Sequence, residues 1–145
     1  MTTEKENTDI FHATLLSERV VDNVTLRLYS NRIFYVHIPQ FEKIGIDMIK
    51  AGYQFLDDNG GGTFYNVYHF DSFSDVDPET REWAAASDGN HYTICDALVI
   101  GGLSQKIITD FYLRFNKPVK PTKVFYSLEK AVKWTIEQMG EESSK

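Results

Sequence analysis

The stretch YTICDALVI, residues 92–100, decides the fold. It is an almost unbroken apolar run of strand length, and such runs are typical of strands in parallel sheets, which are buried on both faces. Two glycines, Gly101 and Gly102, then turn the chain into SQKIITDFYLRFN (residues 104–116), where apolar residues recur at helical spacing. A buried strand that passes directly into an amphipathic helix predicts an α/β domain.

The segments on either side extend this pattern. VTLRLY and IFYVHI (residues 24–29 and 33–38) predict a hairpin, whereas residues 10–20 fit either a short strand or a turn of helix. A helix over residues 41–57, with Phe41 on its apolar face, ends at the glycines of NGGG. The remaining segments are the strand TFYNVYHF (residues 63–70), the helix PETREWAAAS (78–87), the strand TKVFY (122–126) and a last helix from residue 128.

The resulting order, β-β-α-β-α-β-α-β-α, predicts an α/β single domain. Its sheet is mixed and largely parallel, with about five strands and flanking helices. We expect the domain to span residues 10–140. Because both ends of the chain are polar, we expect a flexible N-terminus over residues 1–9 and a flexible tail over residues 141–145.

Composition narrows the class of protein. The formal net charge of −6 disfavours general binding to nucleic acids, which depends on neutralising phosphates. A single cysteine, Cys95, excludes an internal disulfide and fits a reducing compartment. No apolar run approaches the roughly 20 residues of a membrane span, and the first residues lack the pattern of a signal peptide. The sequence therefore predicts a cytoplasmic protein without a membrane span.

The stretch ALVIGGLSQKIITDFYLRFNKPVKPTKVFYSLEKAVKW (residues 97–134) resembles the C-terminal half of small bacterial STAS-like proteins of unassigned function. The order of elements also resembles the STAS fold, which is the fold of anti-sigma factor antagonists and is close in shape to lipid-binding SEC14 domains. The resemblance implies a non-enzymatic regulatory module. In anti-sigma factor antagonists a serine that follows an aspartate after the third strand is phosphorylated, and Asp71-Ser72 lies at the corresponding place. Here Phe73 follows, where those proteins continue with a small hydroxyl residue and a glycine.

The acidic stretch FDSFSDVDPE, residues 70–79, has three interpretations. Ser72 or Ser74 could be a phosphorylation switch that breaks a contact, since a phosphate there would repel the neighbouring carboxylates. The same carboxylates could bind calcium, although the glycine of an EF-hand loop is missing. The third interpretation needs no partner, because Asp77 is a good N-cap and Pro78 suits the first position of a helix.

The loop RFNKPVKPTK, residues 114–123, carries four cations in an otherwise acidic protein. It is either a solvated connector or a contact for an acidic protein surface or a phosphate. The candidate contacts are Arg114, Lys117, Lys120 and Lys123, together with Tyr112 on the preceding helix.

The sequence contains no catalytic signature. His37 and His69 lie in predicted strands and could adjoin across the sheet, where Asp71 would help them to bind a metal or transfer protons; packed, hydrogen-bonded histidines are the simpler interpretation. We therefore predict no catalytic residue, no metal site and no cofactor. The predicted function is a non-enzymatic regulatory module of STAS type, controlled by serine phosphorylation, that binds a protein partner or a second copy of itself. The alternative is a small-molecule or lipid-binding protein of SEC14-like shape, which requires an apolar cavity.

Overall fold

The computed structural model describes residues 10–86, 91–115 and 120–143. It confirms a mixed α/β fold with a mostly parallel main sheet. Three sequence predictions concern residues outside these ranges: the flexible N-terminus over residues 1–9, the last two residues of the predicted tail, and Lys117 as a contact. Within the described part of the chain, no helix is both long and apolar enough to cross a bilayer.

In the described part of the chain, the main sheet has six strands: β1 (Leu15–Val21), β2 (Val24–Tyr29), β3 (Ile33–Ile38), β5 (Phe64–Phe70), β7 (Thr93–Val99) and β8 (Thr122–Phe125). They lie side by side in that order. The first three strands are antiparallel, and β3, β5, β7 and β8 run parallel to one another. A second, two-stranded parallel sheet pairs β4 (Lys43–Ile44) with β6 (Asp75–Val76).

The predicted count of about five strands was too low, because residues 15–21 form the edge strand β1. Strand β1 pairs with β2 through a two-residue turn at Asp22 and Asn23, whose φ angles are 47° and 71°. Positive φ at both central residues is the mark of the type I′ turn, whose twist matches that of the strands it joins.

Four helices lie within the described residues, each after one of the parallel strands: α1 (Ile46–Asp58), α2 (Pro78–Ala86), α3 (Leu103–Phe115) and α4 (Leu128–Ser143). Helix α4 continues past the predicted domain end at residue 140. Helix α2 begins at Pro78 as predicted, and Asp77 caps it: the Thr80 backbone N–H and hydroxyl both donate to Asp77 Oδ1, at 2.9 and 2.7 Å. The resulting hydrogen bonds hold the pKa of Asp77 below its usual value.

The predicted start of the first helix at residue 41 was wrong. Helix α1 begins at Ile46, because Lys43 and Ile44 pair with Asp75 and Val76 in the small sheet instead of continuing the helical spacing. Phe41, predicted to face the core, is 74% exposed. The predicted end at NGGG is confirmed, since the helix ends at Asp58 and residues 60–62 all have positive φ, which glycine adopts most easily.

The two faces of the main sheet bury separate apolar clusters. Helix α4 places Ala131 and Val132 against one face, while α1 places Phe55 and Leu56 against the other. The chain moves in the same direction across the sheet at each crossover, from β3 to β5, from β5 to β7 and from β7 to β8. Because such crossovers are right-handed, their connecting helices lie on one face of the sheet. Accordingly α1, α2 and α3 all line a common cavity on the face opposite to α4.

Candidate functional site

The edge where β3, β5, β7 and β8 end, here called the carboxyl edge, carries two exposed phenylalanines. Phe41 follows β3 and Phe73 follows β5, and they are 74% and 66% exposed. Their rings stack with centroids 5.6 Å apart and planes 9° from parallel. Leu103, at the start of α3, adds a third exposed apolar side chain after β7. Two large aromatic side chains that stack on each other and stay mostly exposed leave an apolar surface open to solvent.

Both phenylalanines occupy a turn position that normally requires glycine. In each turn the fourth residue donates its N–H to the carbonyl of the first, from Glu42 to Pro39 at 3.2 Å and from Ser74 to Asp71 at 3.1 Å. Phe41 and Phe73 are the third residues, with φ angles of 69° and 63°. Positive φ at this position marks the type II turn, and it costs a bulky residue of the order of 1 kcal/mol or more. Such strain persists only where the surrounding structure holds it.

The turn of residues 71–74 is held from within the protein by Gln105. This buried side chain on α3 donates from Nε2 to the Asp71 carbonyl at 2.8 Å and to the Ser74 carbonyl at 2.9 Å. Its Oε1 accepts from the Gly101 N–H at 2.9 Å. One amide therefore fixes the turn that carries Phe73 against the start of α3.

A second anchor comes from the paired histidines. His37 and His69 are register partners across β3 and β5, with rings 5.5 Å apart, which confirms that they adjoin. His37 Nε2 donates to Asp71 Oδ2 at 2.9 Å and so ties the Phe73 turn to the end of β3. Burial and the charge of His37 lower the pKa of His69, whose Nδ1 lies 2.8 Å from the Tyr35 hydroxyl. Burial also raises the pKa of Tyr35 to about 12, so its hydroxyl stays protonated beside the His69 ring.

The two candidate serines have different surroundings. Ser72 is exposed, and its hydroxyl lies beside Gly101 at the start of α3. Ser74 is 1% exposed, and its hydroxyl donates to the Asp71 carbonyl at 2.6 Å. Of the two, only Ser72 is accessible to another protein without opening the turn.

The basic loop is described in part. Lys120 is half-buried, and Lys123 is exposed with its Nζ 5.7 Å from the centre of the Phe125 ring. Lys117 and the side chains of Tyr112 and Arg114 lie outside the described part. Lys123 is therefore exposed to solvent and also close to an aromatic ring of its own chain.

The second feature is a cavity of about 120 Å³ between the sheet and helices α1, α2 and α3. Its apolar walls include Ile49 on α1 and Leu98 and Ile100 from the strand β7 region, and Tyr53 and Tyr68 also line it. Its polar lining includes Asp96, Arg81 and Gln105. A cavity of this kind is the usual form of a small-molecule site.

Asp96 is the charged group that distinguishes this cavity. Within the described residues its hydrogen-bond partner is Asn66, which donates from Nδ2 to Asp96 Oδ1 at 2.9 Å. Burial raises the pKa of the Asp96 carboxyl to about 6, against the lowering effect of that hydrogen bond. Burial and then the nearby Asp96 charge raise the pKa of Tyr53 to about 12. Asp96 therefore carries a negative charge at pH 7 in a site that disfavours it.

The other charges at the cavity offset each other. Arg81 donates to Asp75 Oδ1 at 3.4 Å and to the Val76 carbonyl, so its charge is already engaged. Among the described residues, no group of three or more His, Cys, Asp or Glu side chains converges to hold a metal ion.

Sequence reasoning did not single out Phe41, Gln105 or Asp96 as functional. Asp96 carried a signal, since a lone carboxylate inside an apolar strand loses part of its hydration and is rarely found there without a purpose. Phe41 and Gln105 carried none, because their roles depend on contacts with segments that are distant in the sequence.

These features define a mixed α/β fold with an exposed aromatic surface at one edge of a mostly parallel sheet and a cavity beneath its helices. The chain belongs to the family described as a domain of unknown function, DUF7793, whose model matches residues 27–138. The match includes both the carboxyl edge and the cavity. No curated protein matches the chain, and no solved structure matches it.

Proposed function

We propose that this protein is a non-enzymatic, cytoplasmic regulatory module that binds a protein partner through the carboxyl edge. The observation that carries the proposal is the stacked pair of Phe41 and Phe73, exposed on turns that glycine would occupy at lower cost. Strained backbone that presents apolar rings to solvent does not help the isolated domain, so it points to a contact made elsewhere. The resemblance to STAS-type anti-sigma factor antagonists supports the same class of function.

The surface is organised before binding. Gln105 and His37 hold the Phe73 turn, and Asn23 Nδ2 donates to Glu42 Oε1 at 3.1 Å beside Phe41. A surface that is already ordered loses little conformational entropy when a partner binds. This favours the carboxyl edge as a preformed contact surface.

We infer a partner different from this chain, with an apolar pocket bordered by cations. Glu42 and Asp71 flank the two phenylalanines, and the whole chain carries a net charge of −6. Two copies meeting through this edge would bring like charges together, which is unfavourable. A homodimer remains the second arrangement, and the oligomeric state distinguishes the two.

Phosphorylation of Ser72 would control this contact. A phosphate adds nearly two negative charges beside Phe73 and Asp71, where the partner's cations and apolar pocket would sit. It would also lie close to the start of α3, where backbone N–H groups attract anions. The phosphorylated form would therefore hold its charge at the carboxyl edge and weaken an apolar contact there.

Quantitative affinity capture from cells of the source organism tests the proposal. The baits are wild type, the double variant Phe41→Ser/Phe73→Ser, and Leu16→Ser as the matched control. Leu16 is 61% exposed but lies at the opposite edge of the sheet, near the start of β1. We expect one protein to be recovered by wild type and by the control and lost with the double variant. Recovery that is equal with all three baits would overturn the proposal.

A second function, small-molecule binding, is favoured by the cavity at Asp96. It corresponds to the SEC14-like alternative in requiring an internal site, and it is compatible with a regulatory module whose partner contact lies at the carboxyl edge. Native mass spectrometry of protein purified from its source tests it, because a bound ligand would add a defined mass. A spectrum with only the mass of the chain would count against an occupied cavity.

A further inference from the structure

The cavity at Asp96 combines features that select a type of ligand. An engineered apolar cavity of about 150 Å³ holds one benzene molecule, so a volume of about 120 Å³ suits a ligand with a body of about one aromatic ring. The walls formed by Ile49, Leu98 and Ile100 suit an apolar body. The polar groups that line the cavity then determine which charged or polar group the ligand must carry.

The charges that face Asp96 come from each element around the cavity. Helix α1 contributes the Tyr53 hydroxyl, and α2 contributes Arg81, which is engaged with Asp75 of β6. Helix α3 contributes the neutral side chains Gln105 and Thr109, and β5 contributes the Asn66 amide. Among the described groups at this site, the Asp96 carboxylate is therefore the charge without an opposite charge beside it.

A half-buried carboxylate that lines an apolar cavity without an opposite charge beside it attracts a cation. One oxygen of Asp96 accepts from Asn66, and hydrogen bonds to charged groups are the stronger class. Tyr53 and Tyr68 line the same cavity, and aromatic rings attract ammonium groups. An anionic ligand would meet the Asp96 charge without a free cation to offset it.

We propose that the cavity binds a small organic ammonium ion, with Asp96 as its counter-ion and the apolar walls around a body the size of one aromatic ring. This inference rests on the small-molecule function above and names its ligand class. Binding requires ionised Asp96, so the affinity falls as the pH falls below the pKa of that carboxyl. The ammonium group itself stays charged across this range, since amines of the lysine type have a pKa of about 10.

The test uses three probes of nearly equal size, namely benzylamine, benzyl alcohol and benzoate. Each is titrated into the isotopically labelled full chain at pH 7.5, and binding is followed by the NMR shifts of amides around the cavity. We expect benzylamine to bind at least about tenfold more tightly than benzyl alcohol, as a charge-assisted hydrogen bond implies. Asp96→Asn should remove this preference, whereas Glu137→Gln, an exposed change on α4, should retain it. Lowering the pH to 5 should weaken benzylamine binding to wild type about tenfold.

The outcomes separate this inference from the function on which it rests. Equal binding of benzylamine and benzyl alcohol, or tighter binding of benzoate, would refute the ammonium ligand but retain a small-molecule site. If none of the three probes shifts the amides around the cavity, both the ammonium ligand and the small-molecule site are refuted. An unchanged preference in Asp96→Asn would show that another group selects the cation and would also overturn the inference.

Discussion

Replacing Asp96 with asparagine should make the protein more stable, and by an amount that depends on pH. The ordinary pKa of 3.8 describes the carboxyl in the unfolded chain, and the folded value is about 6. Between these values the folded protein binds the proton more tightly than the unfolded chain does. The stability of wild type therefore falls as the pH rises from about 4 through 6.

The magnitude follows from the gap between the two pKa values. A gap of about two pKa units corresponds to about 3 kcal/mol, which is the cost of keeping Asp96 ionised in the folded protein above pH 7. Asparagine has nearly the same shape and can still accept the hydrogen bond from Asn66. We expect Asp96→Asn to match wild type near pH 3.5 and to exceed it by up to about 3 kcal/mol at pH 8.

Urea unfolding of both proteins at half-unit steps from pH 3.5 to 8 measures this difference. His69 also titrates in this range, and its lowered pKa makes stability fall as the pH falls below about 6.5. It does so in both proteins and cancels in the difference. Glu137→Gln, which removes an exposed carboxylate on α4, serves as the matched control. A difference between Asp96→Asn and wild type that is constant with pH, or a less stable variant at pH 8, would refute the reasoning.

Three further results are expected. Phe73→Gly should be more stable than Phe73→Ala by about 1 kcal/mol in urea unfolding, because only glycine adopts positive φ freely. Both variants should lose partner binding. Equal stabilities of the two variants would show that the turn is unstrained. Gln105→Leu should lower the free energy of unfolding by about 1–3 kcal/mol, because the carbonyls of Asp71 and Ser74 lose their donor. It should also speed hydrogen exchange at the Ser74 amide. Unchanged exchange there would show that Gln105 does not anchor the turn. Ser72→Asp should keep wild-type stability and weaken capture of the partner. Ser74→Asp should lower the free energy of unfolding by at least about 3 kcal/mol, because it buries a charge. A Ser74→Asp variant as stable as wild type would contradict the burial of that side chain.

Much of the fold could be predicted from local patterns. The apolar strand at residues 92–100, the NGGG stop and the cap at Asp77 each depend on neighbours in the sequence, and each has its expected form in the structure. The edge strand β1 could also have been predicted from neighbouring residues in the sequence. Residues 10–20 alone fit either a short strand or a turn of helix, but the Asp22-Asn23 pair suits a two-residue hairpin turn and favours the strand.

The functional surface depended on contacts that no local pattern contains. Phe41 fits the helical spacing that follows it, and only the pairing of β4 with β6, about 30 residues apart, removes it from the helix. Phe73 adopts a backbone conformation that its residue type disfavours, so propensity argues against its actual position. Places where local preference and structure disagree are often functional, which is why these two residues carry the proposal.

Site-specific photocrosslinking tests the central claim, a protein partner at the carboxyl edge, most directly. The photoreactive residue p-benzoylphenylalanine replaces Phe73 in one variant and Leu16 in another, and both proteins are irradiated in cells of the source organism. We expect a discrete adduct with a different protein from position 73 and none from position 16. If position 73 gives no adduct, or an adduct only with a second copy of this chain, a different protein does not bind at the carboxyl edge.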